Sequence, residues 1–449
     1  MSVSFVILAA GQGTRLKSDL PKVLHQVAHA PLLAHAMRSA DSLEPTSVVV
    51  VTGHEGAQVA DVARDLNPDV LIVEQTERLG TGHAVAQAKS ALADTAGDVI
   101  VLYGDTPFIK PDTLSAMQAA RAAHDVVVLG FRPADAGRYG RLITTGDTLD
   151  RIVEFKDAND EERTVSLCNS GVISASREIL FDLISRIEND NASGEYYLTD
   201  IVGLARTKGL SATAVICDAA ETLGVNSRTD LAAAETAFQA HARAEALDNG
   251  TTLLDPDSVH FAFDTMIGRD VVVEQNVVFG PGVTVETGAH IRAFSHLEGC
   301  HVSRGAVVGP YARLRPGAEL SENVRVGNFV EVKNAILSEG VKVNHLSYVG
   351  NATVGVATNI GAGTITCNYD GLFKHHTTIG ANAFIGSNTM LIAPVEIGRD
   401  AMTASGSVIT ENVPDGALAL GRAKQQTKPG LAVRLFDKLR AAKERAKKN

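Results

Sequence analysis

From Ile267 to Ile409 an aliphatic or aromatic side chain returns at every sixth position. The series opens Ile267, Val273, Phe279, Val285, Ile291, Leu297. After a five-residue step it continues through Val302, Val308, Leu314, Leu320, Val326 and Val332, and it resumes from Leu337 through Val343 to Ile397. A small or β-branched residue commonly follows four positions after each. Period six fits neither the 3.6 of a helix nor the simple alternation of a half-buried strand. It predicts a parallel β-helix of hexapeptides, in which three hexads close one triangular coil and each aliphatic points inward. A sandwich of short strands would instead place turn signals about every 8–12 residues.

At 449 residues the chain exceeds one ordinary core, so at least two domains are expected. Its net charge of −11 argues against general nucleic-acid binding, which needs a basic face. Cys168, Cys217, Cys300 and Cys367 are scattered without CxxC spacing, which points to a reducing compartment rather than a disulfide frame or zinc site. No apolar run reaches the roughly 18 residues that would span a membrane. Val3 to Ala10 lacks a basic flank and runs into a glycine loop, so it reads as a buried strand rather than a signal peptide. A cytoplasmic protein is expected.

The strand Ser4 to Ala9 leads into Gly11-Gln12-Gly13-Thr14-Arg15-Leu16. Such a loop offers bare backbone N–H groups to phosphates. It is neither a Walker loop nor a full GxGxxG, and a tight turn is the plain alternative. Arg15 and Lys22, with Pro21 between them, favour a triphosphate. Strands at Ser47–Val51, Val70–Val73 and Asp98–Leu102 alternate with helical stretches such as Ala57–Asp65. That order predicts a mostly parallel sheet with helices on both faces, whose ligands bind at the carboxyl ends of the strands. Gly11, Gln75, Gly80, Thr81 and Asp105 fall at such ends. Asp105 suits a metal-holding carboxylate, although an Asp after a strand is often only a turn former.

Ser227 to Leu247 is alanine-rich without Gly or Pro, which predicts a helix capped at Ser227 or Thr229 and read as a semi-rigid strut between domains. Within the hexads, polar interruptions carry the information. Arg315 and Lys333 stand eighteen residues apart, one coil, and a surface ion-pair ladder would also explain them. His345 and Tyr348 follow one coil later, and the segment Asn368-Tyr369-Asp370-Gly371 expels a loop, Asp370 to His376, from the regular count. Loops that leave a regular scaffold tend to carry function. Beyond Gly421 the tail is basic, with a solvated amphipathic helix expected from Arg434 to Lys448.

The N-terminal motifs, in order, are the glycine loop, Lys22, Leu79-Gly80-Thr81-Gly82-His83, Tyr103-Gly104-Asp105, Arg138-Tyr139-Gly140-Arg141, Glu154-Phe155-Lys156-Asp157 and Asn169-Ser170-Gly171. Together they resemble the sugar-nucleotide pyrophosphorylases. With the β-helix behind them, the chain from Val3 to Gln426 resembles the bacterial family of bifunctional N-acetylglucosamine-1-phosphate uridyltransferases/glucosamine-1-phosphate acetyltransferases.

The resemblance implies an α/β Rossmann-like nucleotidyltransferase domain over residues 1–226 and a linker helix over 227–250. A left-handed parallel β-helix acetyltransferase domain would fill 251–426, with a basic tail over 427–449. It implies that Leu8, Ala9, Ala10, Gly11, Gln75, Gly80 and Thr81 hold uracil and ribose, with Tyr103 and Gly104 also against substrate. Gly140, Glu154 and Asn169 would read the acetylamino sugar. Asp105 and Asn226 would carry Mg²⁺, while Arg15 and Lys22 neutralise charge as N-acetylglucosamine 1-phosphate attacks UTP.

In the β-helix, Arg315 and Lys333 would clamp the phosphate of glucosamine 1-phosphate, with Tyr348, Asn359 and Lys374 completing the pocket. His345 would be the general base toward acetyl-CoA, a task suited to an imidazole. Ala362, Asn368, Tyr369, Ser387, Ser405 and Arg422 would contact acetyl-CoA. At the position of Ser405 other members carry alanine, which a backbone contact would tolerate. A homotrimer is implied, with acetyl sites between subunits, and neither nucleic-acid binding nor stable membrane insertion. Two other readings are a single-activity nucleotidyltransferase with a regulatory β-helix, and a non-catalytic scaffold with degenerate sites.

Overall fold

The computed structural model describes residues 2–53 and 56–447. It divides into one unit of Met1–Glu245 with Phe261–Phe263 and a second of Ala246–His260 with Asp264–Asn449.

The first unit is built on a sheet that has nine strands among the described residues. In chain order they are β1 (Val3–Ala9), β2 (Ser47–Gly53), β3 (Leu71–Gln75), β4 (Asp98–Tyr103), β5 (Val126–Phe131), β6 (Arg141–Thr145), β7 (Thr148–Val153), β8 (Cys168–Ser176) and β9 (Ala212–Cys217). The order across the sheet is β9-β5-β8-β4-β1-β2-β3, with β6 paired to β8 and β7 to β6. β1 runs parallel to β2 and β4, whereas β8 is antiparallel to β4 and β5. The central strand is apolar nearly throughout because both faces are covered, and all seven of its residues are buried. Val6 and Leu8 enter the core on one face, Phe5, Ile7 and Ala9 the core on the other.

The observed strands end one or two residues beyond the expected Val51, Val73 and Leu102, β3 begins at Leu71 rather than Val70, and the helix expected at Ala57–Asp65 ends at Leu66. The helix Arg228–Asp248, expected as a strut, belongs to the first unit as far as Glu245. Leu231, Ala234 and Phe238 pack there with Leu32, Val225 and Phe263. Its polar residues are also engaged. Glu235 Oε2 accepts the Ala28 N–H at 2.7 Å, and Gln239 bonds both backbone groups of Phe261 at 2.7 and 2.8 Å. Ser227 caps the helix, its Oγ accepting the Asp230 N–H.

In the second unit short parallel strands stack in three columns. Met266 lies beside Thr284 and Val272 beside His290, eighteen positions on, while Thr284 pairs with His301 across the five-residue step. From Val273 to Ile397 the hexad aliphatics are buried, and Ile267, on an early coil, is half-buried. The small residues four positions later, Val277, Ala289, Ala306, Ala312 and Ala318 among them, are buried where the walls converge.

Three residues after most inward aliphatics the backbone turns through the left-handed region. Asn276, Asn323, Asn382 and Asn388, or a glycine, hold these corners, as the local hydrogen-bonding and steric preferences require. Phe294, Tyr311, Phe329 and Leu346 break the rule along one edge. There the rings stack coil on coil, with centroids 4.8 and 5.3 Å apart, and remain exposed.

The expelled loop is absorbed by a longer coil. Ala352 pairs with Thr377 and Asn359 with Phe384, twenty-five positions on, after which Thr377 returns to pairing with Val395. The tail helix runs Leu431–Ala446, with none of its residues buried, and Lys448 lies outside the described residues.

Leu297 is fully buried between Phe279 and Leu314 of the neighbouring coils. Leu297→Ala is expected to cost about 2–4 kcal/mol of stability, read as a lower urea midpoint for the transition of the second unit.

Candidate active sites

A cavity of about 300 Å³ opens at the carboxyl ends of β1, β3 and β4, lined by Leu8, Ala10, Gly11, Lys22, Gln75, Arg78, Gly80, Thr81, Tyr103, Asp105 and Glu195. Strand alternation explains why Leu8 and Ala10 face it, whereas Ala9 points into the opposite core. Gly104 contributes through its backbone, donating to the Leu8 carbonyl at 2.9 Å.

At the cavity's charged end the Lys22 ammonium pairs with the Asp105 carboxylate and donates to Asn226 Oδ1 at 2.7 Å. Two hard oxygen donors from distant parts of the chain thus converge on one cation position. Asp230 holds Asn226 there by accepting its N–H at 3.0 Å, and the Val225 N–H bonds the Asp105 carbonyl at 2.9 Å. One carboxylate and one amide oxygen suit Mg²⁺, which keeps most of its waters and takes few protein ligands. Among the described residues no cluster of three or more His, Cys, Asp or Glu offers a denser cage.

Gln75 is buried, and its amide nitrogen lies 3.1 Å from the Gly80 carbonyl and 3.1 Å from His83 Nδ1. A carbonyl accepts only, so the amide nitrogen must face it, and Oε1 is left for a ligand. Tyr103 ties this end to the next. Burial, then the Glu154 and Asp105 carboxylates, push its phenol above the ordinary range. Gly171, at φ +93°, passes so close to that ring that an added Cβ would lie 2.6 Å from it, which explains the glycine of Asn169-Ser170-Gly171.

Asn169 donates its N–H to the Gly140 carbonyl at 2.9 Å. Gly140 abuts the Glu154 carboxylate, which accepts from Thr199 Oγ1 at 3.3 Å. Gly140, Glu154, Asn169 and Tyr103 are therefore brought together. Arg15 is exposed on its loop and is not among the cavity-lining residues. Arg78, Glu195 and Thr199 received no role from the sequence. The contact of Thr199 with Glu154 is tertiary, between residues 45 positions apart.

In the second unit, Arg315 donates to Glu331 Oε1 at 2.7 Å, a bond that raises its pKa further. The register sets Arg313 beside Glu331 and Glu331 beside Tyr348. Lys333 is lowered from the usual lysine range, by Arg315 first and Lys374 second. The expelled loop thus delivers Lys374 to the two cations, and the crowded positive charge suits an anion. Asn368 Nδ2 reaches Asn351 Oδ1 at 2.7 Å and Tyr348 Oη at 3.4 Å.

His345 stands elsewhere. It ends the strand Lys342–His345 of the ten-stranded column, as Asn359 begins Asn359–Ile360 of the same column, while Lys333 and Tyr348 belong to the fourteen-stranded sheet and Arg315 directly follows its strand Arg313–Leu314. Arg315 and Lys333 are eighteen residues and one coil apart, but His345 follows Lys333 by only twelve, two hexads rather than the full coil expected, and so falls on another wall; one coil on from Lys333 is Gly350.

His345, Ala362, Ser387 and Ser405 instead share one edge. Each sits two positions after the inward residue of its coil, Val343, Ile360, Ile385 and Thr403. Gly363 N–H bonds the His345 carbonyl, Asn388 N–H that of Ala362, and Gly406 N–H that of Ser387. Tyr369 and Arg422 are exposed.

Residues 5–167 match the MobA-like NTP transferase domain and residues 376–411 the bacterial transferase hexapeptide (six repeats). A protein of Jannaschia sp. (strain CCS1), "Bifunctional protein GlmU", is 62% identical over 447 residues, covering 100% of this chain and 98% of that protein. Proteins of the same name from Cereibacter sphaeroides and Ruegeria sp. (strain TM1040) are 67% and 64% identical, with 98% and 99% of their lengths covered. The chain belongs to the GlmU family of bifunctional proteins. The hexapeptide match agrees with the left-handed β-helix expected for that half. Among the described residues no helix is long and apolar enough to cross a membrane.

Burial raises the Glu154 carboxyl pKa. A carboxyl raised on folding favours the folded state below its unfolded pKa, and that favour is lost as pH rises through the folded value. Glu154→Gln removes the desolvated charge, so its melting temperature at pH 7.5 should exceed that of the wild type by ~1–2 °C. The gap should close on titration to about pH 4, near the ordinary Glu pKa.

Proposed function

We propose that this chain is a two-reaction enzyme that acetylates glucosamine 1-phosphate from acetyl-CoA and then transfers uridylyl from UTP to the N-acetylglucosamine 1-phosphate formed. The observation that carries the reading is the pairing, within one chain of the GlmU family, of the Lys22–Asp105–Asn226 convergence with the His345–Ser405 edge.

In the first unit Gln75 Oε1 accepts the N3–H of uracil, and the backbone of Leu8, Gly11 and Gly80 holds base and ribose, with Thr81 beside them. Gly140, Asn169 and Glu154 hold the acetylamino sugar. A sugar-phosphate oxygen attacks the α-phosphorus in line. A new P–O bond forms there, the bond to the bridging oxygen breaks, and pyrophosphate leaves. The nucleophile is already anionic, so no protein base is needed, and positioning with charge neutralisation by Lys22 and Arg15 does the work. Asp105 and Asn226 would hold Mg²⁺, which when bound offsets the phosphate charge.

In the second unit Arg315, Lys333 and Lys374 hold the phosphate of glucosamine 1-phosphate, with Tyr348 and Asn359 beside the sugar. Acetyl-CoA lies along the edge of Ala362, Ser387 and Ser405, with Asn368, Tyr369 and Arg422 contacting it, so that its thioester reaches His345. The amine attacks the carbonyl carbon, a C–N bond forms and the C–S bond breaks. His345 takes the amine proton, which ends on the departing sulfur.

Because the cations and His345 stand on different walls, a homotrimer with acetyl sites between copies fits best. The exposed Phe294–Tyr311–Phe329 stack is the kind of apolar surface that associating copies cover.

Separate assays of both reactions on Asp105→Ala and His345→Ala test the assignment. Asp105→Ala should lose uridylyl transfer and keep acetylation. His345→Ala should acetylate about 10²–10⁴-fold more slowly with uridylyl transfer intact. Loss of both reactions in either variant, or of neither, would defeat the two-site reading.

A further inference from the structure

Throughout the ten-stranded column of the second unit, strands are two residues long among the described residues, with two exceptions. Arg325–Asn328 and Lys342–His345 are each four residues long and pair directly. The ladder is thus extended by two residues at the coil that carries His345, and the extension sets Asn328 beside His345 in register. Gly327 makes it possible. A Cβ there would lie 1.9 Å from the Asn344 carbonyl oxygen, a distance no side chain survives, so the two backbones close only over glycine.

Asn328 is then tied on both flanks. Its carbonyl accepts the Leu346 N–H at 3.0 Å, and Phe329 after it joins the ring stack. His345 is fixed at its backbone as well, its carbonyl accepting Ser347 Oγ at 2.8 Å and the Gly363 N–H at 3.2 Å. Between these anchored strands the Asn328 Oδ1 lies 2.8 Å from His345 Nδ1.

We propose that Asn328 is the positioning residue of the acetyl-transfer reaction, its side-chain carbonyl holding the His345 imidazole with the proton on Nδ1 and a bare lone pair on Nε2. The inference rests on the reading of His345 as the base, and it adds what makes the ring one. A neutral imidazole has one donor and one acceptor nitrogen, and an unheld ring populates both tautomers. Only the Nδ1–H form presents a lone pair at Nε2. An amide carbonyl as neighbour of Nδ1 selects that form and fixes the ring plane, as partners of metal-bound histidines do.

The choice of an amide over a carboxylate also has a consequence. A carboxylate would stabilise the imidazolium, whereas an uncharged acceptor orients the ring and leaves the proton free to pass to sulfur. The surroundings act in the same sense. Arg292 and Arg325 line the same cavity of about 300 Å³ as Asn328 and His345, and Lys342 begins the His345 strand. Among the described residues no acidic side chain lines that cavity.

The test uses the 449-residue chain as wild type, Asn328→Ala, Asn328→Asp and His345→Ala, assayed for both reactions across pH. NMR of ¹⁵N-histidine-labelled protein reads the tautomer. For Asn328→Ala we expect kcat of acetylation to fall by about 10–100-fold, with KM for both substrates within about twofold. The His345 signals should shift from Nδ1–H toward Nε2–H, and uridylyl transfer should be unchanged. Asn328→Asp, of the same shape, should recover most of kcat at high pH. The acid limb of its kcat/KM profile should move about one unit upward, because the carboxylate favours the charged ring.

A role confined to folding would lower stability in both variants without moving the profile or the tautomer, and would overturn the proposal. So would wild-type kcat and tautomer in Asn328→Ala when His345→Ala is inactive. Full acetylation by His345→Ala would instead overturn the base reading on which the proposal stands.

Discussion

The tight inward packing of one aliphatic per six residues governs the second unit, because three walls meeting at a triangular core leave no room to shift by a single position. Each coil must therefore turn at a fixed count, and the turns must pass through the left-handed region, which Asn and Gly tolerate. From those two demands follow the stacked columns, and from the columns follows the vertical alignment of residues at equal phase. His345, Ala362, Ser387 and Ser405 share an edge for that reason alone, and Arg315 stands one coil from Lys333 for the same reason.

The first unit solves a different problem. Its ligands sit where parallel strands end, and the groups that meet phosphate come from segments far apart in the chain. Lys22 reaches Asp105 after β4 and Asn226 before the long helix, with the Asp230 carboxylate holding the approach. The charges balance locally. An ammonium occupies the cation position between two oxygen donors, while Glu154 and Tyr103 carry the strain of burial nearby. Such strain at a binding site is the usual exchange of stability for preorganisation.

Fold class was legible in the sequence because it depends on local pattern, as were the strand ends around which the first unit's cavity opens. Period six announced the prism, the alternation of apolar runs announced the sheet, and strand ends pointed to Gln75, Gly80 and Asp105. The wall of His345 depended on a finer count. The eighteen residues from Arg315 to Lys333 make one coil, but the twelve from Lys333 to His345 make two hexads, which carries the imidazole to another wall. Thr199 on Glu154 and Asn328 on His345 were invisible for a related reason: an isolated Thr or Asn carries no signal until the chain returns to its partner. The helix Arg228–Asp248 read as a strut because alanine-rich composition does not disclose that Glu235 and Gln239 have buried partners.

The loop near Lys374 lengthens a single turn of the prism from eighteen residues to twenty-five, and the next turn resumes as though nothing had been added. A scaffold with that property tolerates grafting. Extra chain can be spliced in at a corner, tuned for a new task and discarded again, while every level above and below keeps its address. New chemistry in such an architecture costs a few residues at one vertex, not a redesign of the core.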